Sequence, residues 1–316
     1  MSATVFIDGE VGTTGLQIRG RLQGRDDIQL LSLSEEHRKD SVRRAEMLNT
    51  ADVSILCLPD VASREAVSMI ENPNTRVIDA SNAHRVTPGW VYGMPEYTPE
   101  QRELIATAKR VTNPGCYACS AVALLNPLVS ARLLPASYPV TINAISGYSG
   151  GGRQMIERFE KSGTPDPLTD PYFVYGLGLE HKHVEEIRYH GGLENRPLFV
   201  PSVGKYAQGM IVQLPLQLWS LPGNPSVDEI FAAYAVHYAG ASFIKVVSPD
   251  EDSSIERLTP EVLNGTNQMH LHIFGNQDRG QVVVMALLDN LGKGASGQAV
   301  QNLNIMLGLP ESTELV

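Results

Sequence analysis

Nowhere does this chain of 316 residues carry an apolar run approaching the ~20 residues needed to cross a bilayer, so no membrane span is expected. Its N-terminus, MSATVFIDGEVG, lacks the basic-then-apolar pattern of a secretory signal, which makes the cytoplasm the expected location. Cysteine is scarce. Three residues, Cys57, Cys116 and Cys119, cannot build a disulfide framework, which agrees with a reducing compartment and leaves thiol chemistry open. Positive charge is short as well. A net charge of -10 without a dense Lys/Arg run offers no footprint for a polyphosphate backbone, so no nucleic-acid partner is expected and a small-molecule site is sought instead. Internal repeats and low-complexity tracts are also missing.

What is present is a globular pattern. The length suggests about two domains. Apolar runs at 4–9, 28–34, 52–59 and 75–81 read as strands separated by helical segments, which predicts parallel strands with crossover helices in an open α/β sheet. After about residue 138 strands dominate, as in YPVTINAISG, GMIVQLPLQL, MHLHIFG and GQVVVMALLDN, and GMIVQLPLQL alternates like a half-buried antiparallel strand. A second, α+β domain follows from this. In the tail, Ala299, Leu303 and Met306 or Leu307 recur at helical spacing before Pro310, giving a closing helix. The stretches around 83–101 and 162–178 read as the least structured.

Chemistry-bearing motifs begin at the first strand. Gly9, Gly12 and Gly15, with Thr13 and Thr14 between them, form a GxxGxxG turn where strand passes into helix. There backbone N–H groups and the helix dipole can face a pyrophosphate without a Cβ in the way, although a tight structural turn would use the same glycines. At the end of the second strand Ser34, Arg38 and Lys39 suit a 2'-phosphate, while Glu35 and Glu36 are acids of the kind an NAD site uses. The balance favours NADP.

Cys116 follows Pro114 and Gly115 at the head of an apolar helix, where unpaired N–H groups lower a thiol pKa. No histidine stands at a zinc-like spacing, and no metal is expected. The spacing alone leaves both a nucleophile and a packed thiol open for Cys116, and reads Cys57 and Cys119 as core thiols. A nucleophile needs a proton-transfer partner. His181 and His183, near the head of a candidate helix with Glu185 and Glu186 behind them, supply one. Residues two apart cannot share a helix face, so one at most should face the thiol. His84, His190, His237, His270 and His272 sit in less suggestive surroundings. Arg85 in SNAHR and Arg153 in SGYSGGGR each place a guanidinium beside small residues, a setting for phosphate or carboxylate, with Lys205 as a weaker candidate. Asn290 at a strand end could pair with a nicotinamide carboxamide.

Taken in order, GEVGTTG, LCLPD, DASNAHR, YGMPE, NPGCY, SGYSGGGR, HKHVEEI, YAQGM and DNLGKGASGQAVQNLN resemble the N-acetyl-gamma-glutamyl-phosphate reductases of arginine biosynthesis, in their shorter form. Aspartate-semialdehyde dehydrogenase is a looser likeness and the nearest rival. A non-catalytic NADP-binding sensor is the rival of another class. The resemblance implies a Rossmann-like NADP-binding domain at 1–113, completed by a closing helix within 290–316. A catalytic and oligomerisation domain of the semialdehyde dehydrogenase type would occupy 114–289. It further implies Cys116 as nucleophile, NADPH on the first domain, substrate held between the domains, and a homo-oligomer, dimer or tetramer. Arg85, Asn113 and Arg153 form the implied substrate set. Where the longer form carries a Pro-His pair, this chain has Pro201-Ser202, which shifts the acid–base role to His183 first and His181 second.

Overall fold

A computed structural model describes residues 2–316. In the first half, β1 (Ala3–Asp8), α1 (Thr13–Leu22), β2 (Ile28–Leu31), α2 (Ser41–Thr50), β3 (Val53–Leu56), α3 (Asp60–Ser68) and β4 (Arg76–Asp79) alternate. Then come β5 (Val91–Tyr92), α4 (Gln101–Thr107), β6 (Arg110–Thr112) and α5 (Cys116–Ser130). The chain continues through β7 (Thr141–Gly147), α6 (Gly152–Glu160), β8 (Tyr172–Val174), α7 (Val184–His190), β9 (Leu198–Gly204) and β10 (Met210–Gln217). It ends with α8 (Val227–His237), β11 (Ile244–Val246), α9 (Pro249–Ser253), β12 (Met269–Asn276), β13 (Gln281–Leu288) and α10 (Gly297–Met306). Among the described residues no helix is long and apolar enough to cross a membrane.

Two compact units result, one of residues 1–115 with 295–316 and one of 116–294. The divisions expected after 113 and before 290 thus fall at 115 and 295, because the closing helix starts only at Gly297. The stretches read as least structured hold the short strands β5 and β8.

The first unit is built on a parallel sheet in the order β2-β1-β3-β4-β6-β5. Its central strand β3, VSIL, is buried at every position, as a strand covered on both faces must be. The strand order reverses beside β1, and the crevice at the carboxyl ends of such strands is where open α/β sheets bind ligands. α10 is buried along its whole length, including Gln298, Gln301, Asn302 and Asn304. Most of those polar groups find partners: Asn302 donates to Gly93 O at 2.8 Å and Asn113 Oδ1 at 3.1 Å, and Asn304 accepts from Arg25 at 2.8 Å, while Gln298 Oε1 and Asn302 Oδ1 have none among the described residues. The spacing of apolar residues found this helix. Its polar anchors have no periodic signal.

The second unit carries a mixed sheet, β11-β12-β13-β10-β7-β9-β8. β10 lies antiparallel to both β13 and β7, as its alternation predicts. α5 is apolar nearly all round and buried from Tyr117 to Leu125. Pro127 lies inside it and cannot donate to the carbonyl four residues back, Ala123 O. The hydroxyl of Tyr238, just past α8, donates to that carbonyl at 2.9 Å, and Tyr234 donates to the neighbouring Leu124 O. α8 therefore repairs the break that proline makes in the helix headed by Cys116. Tyr238→Phe leaves Ala123 O buried without this donor and is expected to cost about 1–3 kcal/mol in urea denaturation. An unchanged midpoint would show that the carbonyl does not need it.

Candidate active site

At the carboxyl ends of β1, β2 and β3 the first unit opens a cavity of about 390 Å3, lined among others by Gly9, Glu10, Leu33, Arg38, Lys39 and Arg44. Gly9 turns the chain there with φ +90°, and a Cβ on it would meet Cys57 O at 2.3 Å. Gly15 is as tight, its Cβ falling 2.4 Å from Gly9 O. Gly12 differs. It precedes α1 as N-cap, and a Cβ on it would come no closer than 3.4 Å to any atom. No side chain caps α1 and no acid stands in its first turn, where Thr13 and Thr14 lie, so its N-terminal N–H groups form an anion-binding end. On the cavity floor Arg44 holds Asp8 through bonds of 3.2 and 2.8 Å, both residues buried. At the rim Arg38 pairs with Glu35 at 2.8 Å, and Ser34 Oγ lies 2.8 Å from His37 Nδ1. Cavity, glycines and rim cations fit a dinucleotide.

Cys116 is the first residue of α5 and is half-buried. Cys119 is buried and Cys57 half-buried, and desolvation pushes both thiols up to about 12, which leaves the helix-end thiol as the candidate for reaction. Gly294, in a π-helical turn over residues 292–296, lies against it: a Cβ at 294 would sit 2.9 Å from that of Cys116. Tyr117, the next residue, donates to Ser202 O at 3.1 Å. The rings of His181 and His183 stand 5.9 and 6.0 Å from its own, and 4.8 Å from each other.

Both histidines reach one place because neither lies within the helix. α7 begins at Val184, with His183 as its N-cap, so the helix-face argument against the pair does not apply. His183 is 4% exposed and His181 half-buried. The backbone N–H of His183 donates to His181 Nδ1 at 3.2 Å, which leaves the neutral ring's proton on Nε2, 3.4 Å from the Tyr175 hydroxyl. Burial, aided by the adjacent Lys182 charge, pulls His181 down to about 4, and burial first of all raises Tyr175 to about 12. Both are neutral at ordinary pH. Tyr117 and Tyr175 have no motif signal beyond their neighbours Cys116 and the histidine pair.

The expected anion and amide ligands fare differently. Arg85 is 8% exposed and spends its guanidinium on Asn113 O at 3.1 Å, Ala80 O at 3.2 Å and Asn82 Oδ1 at 3.4 Å. Asn113 is 1% exposed, its N–H donating to Asp79 O and its Nδ2 to Ala295 O. Arg153 is the reverse, with its side chain 77% exposed on α6 and paired with Glu157 at 3.0 Å. Asn290 falls in the second unit with its amide consumed: Oδ1 accepts from Gly209 N at 2.8 Å and Nδ2 donates to Ser149 Oγ at 3.0 Å. A carboxamide partner would have to displace those bonds, and Asn290 reads as a lock for the loop at 209.

Comparison with known proteins agrees with this geometry. Residues 9–105 match the family described as semialdehyde dehydrogenase, NAD binding domain, and residues 116–290 its dimerisation domain. The chain is 55% identical to N-acetyl-gamma-glutamyl-phosphate reductase 2 of Pseudomonas putida over 96% of each chain. It is 54% identical to the N-acetyl-gamma-glutamyl-phosphate reductase of Brucella suis over 98% of this chain and 100% of that one. Among solved structures, aspartate semialdehyde dehydrogenase from Francisella tularensis shares the fold with a TM-score of 0.72 at 14% identity, covering 96% of this chain and 100% of that one. The enzyme from Candida albicans, solved with NADP, gives 0.65 at 15% identity, covering 97% and 99%.

The depressed His181 value has a measurable consequence. Between its ordinary 6.5 and about 4, the folded chain binds fewer protons at this ring than the unfolded chain does. Stability from His181 is therefore present above that window and is lost as pH falls through it. An NMR titration should place the His181 midpoint near 4, and a midpoint at its ordinary value would contradict the burial described.

Proposed function

This chain belongs to the N-acetyl-gamma-glutamyl-phosphate reductase family, and on that premise we propose how its residues divide the reaction. It reduces N-acetyl-gamma-glutamyl phosphate with NADPH, giving N-acetyl-glutamate 5-semialdehyde and phosphate. The observation that carries the residue assignment is a half-buried thiol at a helix start whose next residue, Tyr117, packs against a histidine held neutral with its proton on Nε2.

In the first unit the N-terminus of α1, opened by Gly12 with Thr13 and Thr14, holds the pyrophosphate, with Gly9 and Gly15 making the turn. Ser34, Arg38 and Lys39 take the 2'-phosphate at the rim. NADPH bound there supplies the hydride that brings the thioester down to the aldehyde level. In the second unit the Cys116 thiolate attacks the acyl carbon, so a C–S bond forms as the bond to phosphate breaks, and the departing phosphate takes the one proton the overall balance requires. His181 acts as donor. Its Nε2–H faces the acyl oxygen as charge gathers there, together with the N–H groups at the start of α5. His183 fixes the His181 tautomer through its backbone and is the more deeply buried of the two, which moves the leading role to His181. Arg85 orders the turn before Cys116 through Asn113 O, and Arg153 is the exposed cation left to meet an incoming anion.

Oligomerisation follows from the second sheet. Helices cover one face, while the other presents half-buried Ile145, Val200, Phe274, Val283 and Met285 from four strands, Ile145 and Met285 packing in part against a cluster that includes Leu263. A second copy of this chain is the occupant we assign to that face, in line with the dimerisation domain matched over 116–290. Light scattering should find a dimer that Val200→Arg with Val283→Arg turns into monomers; an unchanged mass would move the interface elsewhere.

Reverse turnover with NADP, phosphate and the N-acetylated semialdehyde tests the chemistry. Cys116→Ala should abolish it, and His181→Ala should lower kcat on the order of 10²-fold. Equal turnover by the Cys116 variant would remove it as the nucleophile. Preference for aspartate semialdehyde would overturn the substrate.

A further inference from the structure

Lys293 is a fully buried lysine that the reaction as described leaves without a task. Lysine is almost never enclosed unless its charge is compensated. Its ammonium stands 5.7 Å from the centre of the Phe243 ring, and the residue after it, Gly294, is the one packed against Cys116. Glu186 on α7 is 1% exposed. Through Gly294 the turn bearing Lys293 touches the first residue of α5. Cys119 Sγ, 3.2 Å from the Cys116 carbonyl oxygen, feels Cys116 and Glu186 as negative charges and Lys293 as a positive one. Enclosed charges act on one another with little screening by solvent.

We propose that Lys293 is a positioning residue that keeps Cys116 in its thiolate form, its ammonium acting through the enclosed first turn of α5 with Glu186 as the opposing charge. This rests on Cys116 being the nucleophile. The other titratable groups around the thiol are Tyr117 and Cys119 on α5, Tyr175 after β8, His181 and His183 before α7, and buried Asp289, whose backbone oxygen accepts from Gly294 N and whose carboxylate accepts from Gly265 N and Leu291 N, and which every variant retains. Burial keeps Tyr117 well above its ordinary range, Tyr175 and Cys119 near 12 and His181 near 4, so these four stay neutral around neutrality. His183 is retained in every variant compared. With no Cβ at 294, the π-helical turn that bears Lys293 packs directly against the Cβ of Cys116.

The test is the pH dependence of Cys116 alkylation by iodoacetamide on the folded full chain, read by peptide mass spectrometry. Cys57 and Cys119, near 12, stay silent. Lys293→Met should raise the Cys116 midpoint by about one pH unit and slow alkylation at neutral pH roughly tenfold. Glu186→Gln should lower the midpoint. Midpoints unmoved in both variants, with circular dichroism and melting like the parent, would overturn the proposal. If Lys293→Met does not fold, Glu186→Gln decides alone: a downward shift supports the proposal and no shift overturns it. Turnover of Cys116→Ala reports on the nucleophile assignment separately, so the two failures are distinguishable.

Discussion

Cys116 is fixed in place by a side chain that is missing. Any Cβ at position 294 would press on Cys116 from 2.9 Å, so the glycine of the GKGAS turn determines where the sulfur-bearing residue can stand. The chain crosses from one unit to the other twice, at 115/116 and at 294/295, and both crossings are anchored by close contacts. Within the first unit the Asn113 side-chain amide donates to Ala295 O and accepts from Asn302, while its backbone N–H is held by Asp79. Within the second, Gly294 rests on Cys116. Residues that read as ligands in the sequence, Asn113 and Arg85 foremost, are spent on holding this turn. Those bonds make both residues part of the framework that leads into Cys116.

The glycine turn of the first unit separates structural need from ligand need. Gly9 and Gly15 are demanded by the fold, since a Cβ at either would overlap backbone atoms at 2.3 and 2.4 Å. Gly12 meets no such obstacle, so what a side chain there would fill is the space ahead of the α1 N-terminus. Of three glycines in one motif, it is the one whose absent side chain keeps that space open. Beneath them the Arg44 and Asp8 pair gives the cavity floor a fixed, neutralised charge. The cations at the rim are then the ones left to recognise phosphate.

Much of this was legible in the sequence where chemistry and periodicity coincide. The parallel sheet follows from buried runs such as VSIL, and the antiparallel β10 from its alternation. Cys116 was marked by its place after Pro114 and Gly115, and the histidine pair by its motif. What stayed hidden depends on contacts between residues far apart in the chain. The helix-face rule seemed to separate His181 from His183, yet the helix begins one residue later and both rings lie on Tyr117. Asn290 looked like a carboxamide ligand until Gly209 and Ser149 were found to take both ends of its amide. Tyr238 repairing the Pro127 break across 115 residues of chain has no local signature at all.

Environment sorts like residues into unlike roles here. Three cysteines share one chemistry, yet burial drives two of them to about 12, and the third sits half-open at a helix start. The same logic applies to His181. A ring held neutral down to about 4 brings no positive charge to the sulfur and can only hydrogen-bond. Stabilisation of a thiolate is then left to the N–H groups at the start of α5 and, on the proposal above, to the Lys293 ammonium. A nucleophile that must exist as an anion before its substrate arrives favours neutral donors in contact and fixed charge one layer behind.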